Sequence, residues 1–311
     1  MKREWGIPYE YYGSTECFAG SIAQGLIWGI MAVGVYMTYK VLDFADLTVD
    51  GSIATGGATA VMLMLSGQNV YVALIGATIA GMLAGLATGI FHVAFGIPGI
   101  LAGILTQLGL YSVNMRIMGK SNQAISVDKY DLILSLRDIP NAILVGVIFC
   151  AVLIVVLYCF YGTEIGRVFR ATGCNEVMAR AQGTNTDHMK ILGLMISNGV
   201  VALAGGLYAQ YQGNADVNMG RGAIVIGLAA VIIGEVVLGR WVNFNYMLRM
   251  AAVVFGAIMY FCVIAVVLWL GLETTDMKLI SALIVAVFLA VPYLKGKYNA
   301  SHVKRGGGKN A

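Results

Sequence analysis

Long apolar runs separated by short polar stretches set the pattern along this chain. Most runs are about 20 residues long and nearly free of charge, as helices that cross a bilayer are. The pattern predicts nine spans, at residues 17–39, 52–66, 70–95, 97–117, 141–161, 188–210, 220–239, 248–271 and 277–294. It is compatible with eight to ten. The second span is short, and we expect it to be tilted, broken or joined to the polar segment before it.

Composition agrees with this pattern. The chain of 311 residues is 59% hydrophobic and 12% charged, whereas soluble domains carry about 25% charged residues. Its forty glycines suit helices that approach one another closely in a membrane. The predicted fold class is therefore an all-α polytopic membrane protein. The formal charge of +4 is modest and does not indicate a nucleic-acid partner.

One transmembrane domain, residues 17–294, is predicted between two polar ends. Basic residues concentrate in cytoplasmic loops of membrane proteins, and their distribution here puts the C-terminus in the cytoplasm. Residues 1–16 then form an extracytoplasmic segment, although Lys2 and Arg3 favour the opposite side. Residues 295–311 are polar, basic and rich in glycine, and are predicted to be a disordered cytoplasmic tail.

Residues 164–190, here called the polar island, interrupt the apolar pattern in the middle of the chain. The island holds seven charged side chains, which at the bilayer centre would cost on the order of 20 kcal/mol, so it must lie in water. Within it, residues 175–183 predict a short helix. Asn175 suits the helix start, Glu176 suits its first turn, and Gly183 suits its end.

A short internal repeat links the two halves of the chain. Ala45 and Asp46 match Ala215 and Asp216, and Gly57 matches Gly227 at the same offset. The two copies begin on opposite sides of the membrane in the predicted topology. That is the pattern of an inverted repeat, which builds transport paths at its interface. Chance similarity is the alternative.

Polar side chains in or beside the spans are candidates for a translocation path. A broken helix at residues 43–50 would point carboxylates at a midplane cavity, whereas a solvated turn is the alternative. The amides inside spans could line the path or bond a neighbouring helix. The path candidates are Gln24, Asp46, Asp50, Gln107, Asn114, Asn198 and Asp216.

Motifs for catalysis or metal binding are missing from the sequence. The five cysteines and three histidines are scattered, without the spacing of a disulfide framework or a metal site. Gly119, Lys120 and Ser121 resemble the end of a P-loop, but a membrane span precedes them where a P-loop needs a strand. We therefore expect no catalytic residue, no metal and no bound cofactor.

The island and the stretch after it, RATGCNEVMARAQGTNTDHMKILGLMISN, resemble the cytoplasmic coupling loop of ABC importer permeases. The likeness is to the branched-chain amino acid and ribose permease group, and within it to the branch associated with tryptophan or tyrosine uptake. It extends over residues 21–292, including LDFADLTVDGS. Val177 and Met178 depart from the alanines of the most familiar coupling signature.

The resemblance implies a non-catalytic permease subunit in a bacterial cytoplasmic membrane. A separate ABC ATPase would bind ATP, an extracytoplasmic solute-binding lipoprotein would deliver the solute, and a second permease copy would complete a homodimer. The ATPase-coupling residues it implies are Arg170, Gly173, Asn175, Glu176, Ala179, Arg180 and Gly183. Met178 and Ala179 are expected to form an apolar patch for the ATPase, with Arg167, Arg170 and Arg180 pairing with its carboxylates.

Few charged residues lie in the predicted path, which suits a small neutral or zwitterionic solute. An amino acid, aromatic or branched-chain, is the substrate that the resemblance implies, and a nucleoside or sugar is the alternative within the same class. A secondary transporter driven by an ion gradient is the alternative from another class. It would need titratable groups deep in its spans, and the sequence has few.

Overall fold

Helices make up nearly all of the regular structure in the computed structural model, which describes residues 14–126, 130, 132–242 and 245–269 and scattered positions from 279 to 290. The helices are α1 (Ser14–Tyr36) with a π-helical turn (Met37–Val41), α2 (Val49–Leu65), α3 (Val70–Val93), α4 (Gly99–Met118), α5 (Ile139–Gly162), α6 (Glu164–Cys174), α7 (Glu176–Ala181), α8 (Thr186–Gln212), α9 (Ala223–Val242) and α10 (Tyr246–Trp269). Two short strands, β1 (Asn122–Ala124) and β2 (Asn214–Asp216), follow α4 and α8.

Eight of the nine predicted spans overlap helices, and α4 is the one of these eight that is neither a candidate membrane span nor one of the shorter apolar helices. In the described residues, five helices are long and apolar enough to cross a membrane by length and composition, and α2 and α9 are shorter apolar helices. The all-α polytopic fold class is thus confirmed. The ninth predicted span, 277–294, is described only at scattered positions. The tail 295–311 lies outside the described residues, as does the N-terminal segment up to residue 13.

The chain turns back on itself between α1 and α2. Asp43 has a φ of 55°, a left-handed conformation that Asp tolerates better than most residues. Residues 42–48 then run without helical structure into α2. They pack against α4, since a Cβ added at Gly103 would lie 2.8 Å from the backbone nitrogen of Leu47. The short second span is therefore joined to a non-helical segment in which Asp46 and Thr48 are buried and Asp43 is exposed.

Helix α8 runs through the core between α1, α2 and α3. Small residues allow this, because a Cβ added at Gly56 of α2 would collide with the Ala202 backbone of α8. Gly81 and Gly85 of α3 meet the α8 backbone in the same way. These glycines therefore serve close helix packing inside one chain.

The two strands pair antiparallel, with Asn122 opposite Asp216. They define one end of the molecule, here called the ribbon end, while α6 and α7 define the island end. Helix α8 has 27 residues, so about 40 Å separates the two ends.

The described contacts agree with an inverted repeat. Helices α1 and α8 run antiparallel, because Tyr211 donates to the Gly20 carbonyl and Ser197 donates to the Gly34 carbonyl. The matched aspartates also make the same local turn. Asp46 Oδ1 accepts from the backbone N–H two residues on at 2.9 Å, and Asp216 Oδ1 does so at 2.6 Å. Each turn leads to a short apolar helix, α2 or α9.

Candidate functional site

The polar island folds into two short helices. Asn175 Oδ1 accepts from the backbone N–H of Met178 at 2.9 Å, so α7 begins where the sequence predicts. Gly183, with a φ of 82°, follows its last turn. Helix α6 was missed from the sequence, although Thr163 gives the signal: its Oγ1 accepts from the Gly166 N–H at 3.1 Å, as an N-cap does.

A cluster of ionic hydrogen bonds ties α7 to the first turn of α8. Glu176 Oε1 accepts from Lys190 Nζ at 2.8 Å and from Arg180 Nη2 at 3.0 Å. Arg180 also donates to Asp187 at 2.7 Å and to Thr186 at 2.6 Å. The hydrogen bond from Lys190 holds the pKa of Glu176 below its ordinary value, and partial burial opposes this. The helix is thus braced by its own chain.

The exposed face of α7 differs from the expected patch. Ala179 is only 3% exposed, while Val177 and Met178 are 79% and 58% exposed. The sequence expectation that Ala179 helps to form an apolar patch for a partner is therefore wrong. Successive helical residues lie about 100° apart, and the turn that seats Ala179 inward presents Val177 and Met178 to solvent.

Two of the three arginines expected to meet a partner are engaged within the chain. Arg180 belongs to the ionic cluster. The guanidinium of Arg170 lies 4.6 Å from the ring centroid of Tyr246, a cation–π contact. Arg167 is exposed, and its pairing with a partner carboxylate stays a prediction.

The island also touches the segment that leads into α2. A Cβ added at Gly173 would collide with the Val41 carbonyl and lie 2.8 Å from the Leu42 Cα. Beside this contact is a cavity of about 430 Å³ lined by Asn175, Glu176 and Lys190 on one side and by residues 42–45 on the other. A displacement of α6 and α7 would therefore press on residues 41–45.

Two path candidates form a buried network in the core. Asp46 Oδ2 accepts from Asn198 Nδ2 at 2.7 Å, and Asn198 Oδ1 accepts from the Ser52 hydroxyl at 2.6 Å. All three are buried, with Asp46 1% exposed, so Asp46 does not lie in a solvated turn. The network joins residues 42–48, α2 and α8.

Three further candidates line a cavity of about 260 Å³ near the ribbon end, here called the ribbon cavity: Asp50, Gln107 and Asn114. The Asp50 carboxylate accepts from the backbone N–H groups of Gly222 and Ile224 at 3.0 and 2.9 Å and so caps the start of α9. Arg221 also lines this cavity. Sequence reasoning missed it, although a lone arginine directly before an apolar run was a signal.

The remaining candidates lie apart from these two groups. Gln24 of α1 lies beside the Tyr208 hydroxyl of α8. Asp216 ends β2 and does not line the ribbon cavity. The described part of the chain contains no group of His, Cys, Asp or Glu side chains that could hold a metal ion.

Comparison with known proteins gives a consistent family. Residues 17–292 match the model of the branched-chain amino acid transport system permease component. The tyrosine transport system permease protein of Clostridioides difficile is 40% identical over 283 residues, which cover 91% of this chain and 94% of that protein.

Two further relatives are more distant. An uncharacterised protein of Rickettsia prowazekii is 34% identical over 87% of this chain and 95% of its own length. The autoinducer 2 import system permease LsrC of Yersinia pseudotuberculosis is 26% identical over 75% of this chain and 66% of its own length.

Proposed function

The chain belongs to the family of branched-chain amino acid transport system permease components, and we propose that it is the membrane subunit of an ATP-driven importer of an amino acid. Its partners would be an ABC ATPase, an extracytoplasmic solute-binding lipoprotein and a second permease copy. ATP would bind to the ATPase alone. The observation that carries the proposal is the capped, braced helix α7, which presents Val177 and Met178 to solvent.

A helix with two adjacent exposed apolar residues suits a groove on the ATPase surface. The ionic cluster of Glu176, Arg180 and Lys190 would keep α7 and the start of α8 together as it moves. The close contact of Gly173 with residues 41 and 42 would pass the same movement to the segment before α2. Rigid displacement of packed elements is a common basis of switching between two states.

An aromatic or branched-chain amino acid is the substrate we propose. The likeness to a permease named for tyrosine transport, at 40% identity over nearly the full length of both proteins, supports an aromatic one. The relative named for autoinducer 2 import is less similar and is matched over a smaller share of both chains.

Charge placed on the exposed face of α7 tests the coupling step. The permease is reconstituted in liposomes with its ATPase and binding protein, and ATP-driven amino acid uptake is measured. Val177→Glu should lower uptake at least ten-fold, since a carboxylate buried in an apolar groove without a partner is strongly unfavourable. His188→Glu adds the same charge to an exposed site on the same island outside α7, and should leave uptake near that of the original protein.

Equal uptake by the Val177→Glu and His188→Glu proteins would refute α7 as the contact with the ATPase. The driving force is tested separately. Uptake that needs no ATPase but stops when the ion gradient is dissipated would favour a secondary transporter and refute the importer.

A further inference from the structure

The ribbon cavity contains an amide that the protein itself leaves unpaired. Asn114 of α4 lines it and is 1% exposed, and neither amide atom has a hydrogen-bond partner in the described part of the chain. Native proteins pair nearly all buried polar groups, because an unpaired one is costly. A bound molecule with a group that both donates and accepts would complete this site. A hydroxyl does both.

One negatively charged and one positively charged side chain, Asp50 and Arg221, line the same cavity. The Asp50 carboxylate accepts two backbone N–H groups, yet carboxylate oxygens have lone pairs for further donors. Arg221 is exposed, and the ion pairs found among the described residues do not include it. A guanidinium and a carboxylate facing one space match the carboxylate and ammonium groups of a zwitterion.

The size and the apolar lining of the ribbon cavity restrict the class of ligand further. The cavity of about 260 Å³ lies just below the usual range of ligand pockets, about 300–1,000 Å³, so it suits a small solute. Tyr111 and Leu108 of α4 contribute apolar surface to its wall. An aromatic ring could pack against them.

We propose that the ribbon cavity is a solute subsite for a hydroxylated aromatic amino acid. Arg221 binds the carboxylate, Asp50 binds the ammonium group, and Asn114 hydrogen-bonds the side-chain hydroxyl. The proposal rests on the proposed import of an amino acid and deepens it, because it assigns substrate selectivity to residues of the permease.

A comparison of the uptake of two solutes tests the subsite. The permease is reconstituted with its ATPase and binding protein, and ATP-driven uptake of L-tyrosine and L-phenylalanine is compared. Because the binding protein is the same in every sample, a changed ratio between variants comes from the permease. Asn114→Leu should lower the tyrosine-to-phenylalanine ratio about ten-fold, since a site built to bond a hydroxyl loses its advantage when the partner is removed.

Gln210→Leu is the matched control. Gln210 of α8 is also fully buried with both amide atoms unpaired in the described residues, but it does not line the cavity. Its replacement should leave the ratio unchanged. Arg221→Gln should lower the uptake of both amino acids by a similar factor, about ten-fold, because both carry the carboxylate.

The outcomes separate the two proposals. An unchanged ratio in Asn114→Leu, or a change of equal size in Gln210→Leu, overturns the role of Asn114. If Asn114→Leu does not insert, Arg221→Gln still decides: unaltered uptake of both amino acids overturns the subsite. Failure of the original protein to import either amino acid with ATP refutes the proposed function itself, and the subsite with it.

Discussion

Two of the contacts that hold α8 to its neighbours use different chemistry. At the island end, the carboxylate of Glu176 pairs with the ammonium group of Lys190 near water. In the core, the carboxylate of Asp46 bonds the amide of Asn198 and the backbone N–H of Thr48. Both contacts are centred on a carboxylate, but in the described residues only the one near water has cationic partners.

Burial explains this difference. An ion pair near water contributes about 0–1 kcal/mol, because solvent screens it and ordering its side chains costs entropy. Burying a second charge beside Asp46 would add a further desolvation penalty, whereas amide and backbone donors satisfy the carboxylate without one. The core contact therefore fixes the position of Asp46 and Thr48, and the island contact is weak enough to adjust if, as proposed, an ATPase binds there.

The largest loss of stability is expected when a side chain is added between α2 and α8, because the core contact depends on their close approach. Gly56 lies one turn after Ser52 on α2, and its Cα faces the Ala202 backbone. Gly56→Ala would push α2 and α8 apart and stretch the bonds of Asn198. Such overpacking against backbone should destabilise the protein by about 3 kcal/mol, measured as unfolding of the detergent-solubilised permease.

The neighbouring glycine is the control for this prediction. A Cβ at Gly57 would press on the end of the Met219 side chain, whose sulfur lies 2.7 Å away and can move, and would make an ordinary contact with the Ala209 Cβ at 3.4 Å. Gly57→Ala should therefore cost less than about 1 kcal/mol. Equal costs at the two positions would show that close α2–α8 packing is not what holds the core contact.

The next largest loss of stability is expected at Asp46, and it is compared with the loss at Asp216, the matching aspartate of the repeat. Asp46→Ala removes an acceptor from the Thr48 N–H inside the core, and should cost about 2 kcal/mol because buried donors left unpaired are costly. Asp216→Ala removes the equivalent bond to the Asn218 N–H, but this site is exposed. There water replaces the acceptor, and the cost should stay below about 1 kcal/mol. Unfolding of the two variants measures both, and similar costs would contradict the role assigned to burial.

These pairs also show what the sequence could predict. The spans could be predicted from the length of the apolar runs. The limits of α7 could be predicted from Asn175, which suits a helix start, and Gly183, which suits a helix end. The sequence also shows that Asp46 matches Asp216, because both residues make the same local turn. Their different burial was not visible, since Asp46 bonds Asn198 of α8 and the two residues after it pack on α4, and both helices lie far away in sequence.

Ala179 was misassigned for a related reason. A helix of six residues is too short for its apolar spacing to show which side faces the protein. Arg221 was overlooked because its neighbours in the cavity come from α2 and α4. Local pattern therefore predicted which elements form, and tertiary contacts decided which side chains meet.

The smallest effect concerns the island contact and its dependence on pH. The pKa of Glu176 lies below its ordinary value of 4.5 chiefly because Lys190 donates to it. A depressed pKa in the folded state stabilises the protein above the unfolded value, and this stabilisation is lost as pH falls through the folded one. In Lys190→Met the Glu176 pKa should rise towards its ordinary value, so α7 should loosen at a higher pH than in the original protein.

Hydrogen exchange of the α7 backbone amides between pH 3 and 6 measures this change. The stability lost at neutral pH should be a fraction of a kcal/mol, because both side chains are partly exposed and the pair is screened. Lys40→Met removes a similar ion pair, with Glu235, in which no side chain of the island takes part, and should leave exchange in α7 unaltered. If Lys190→Met lost as much stability as Asp46→Ala, the island would be held as firmly as the core. It could then not yield to a partner independently of the core, and the contrast between the two contacts of α8 would fail.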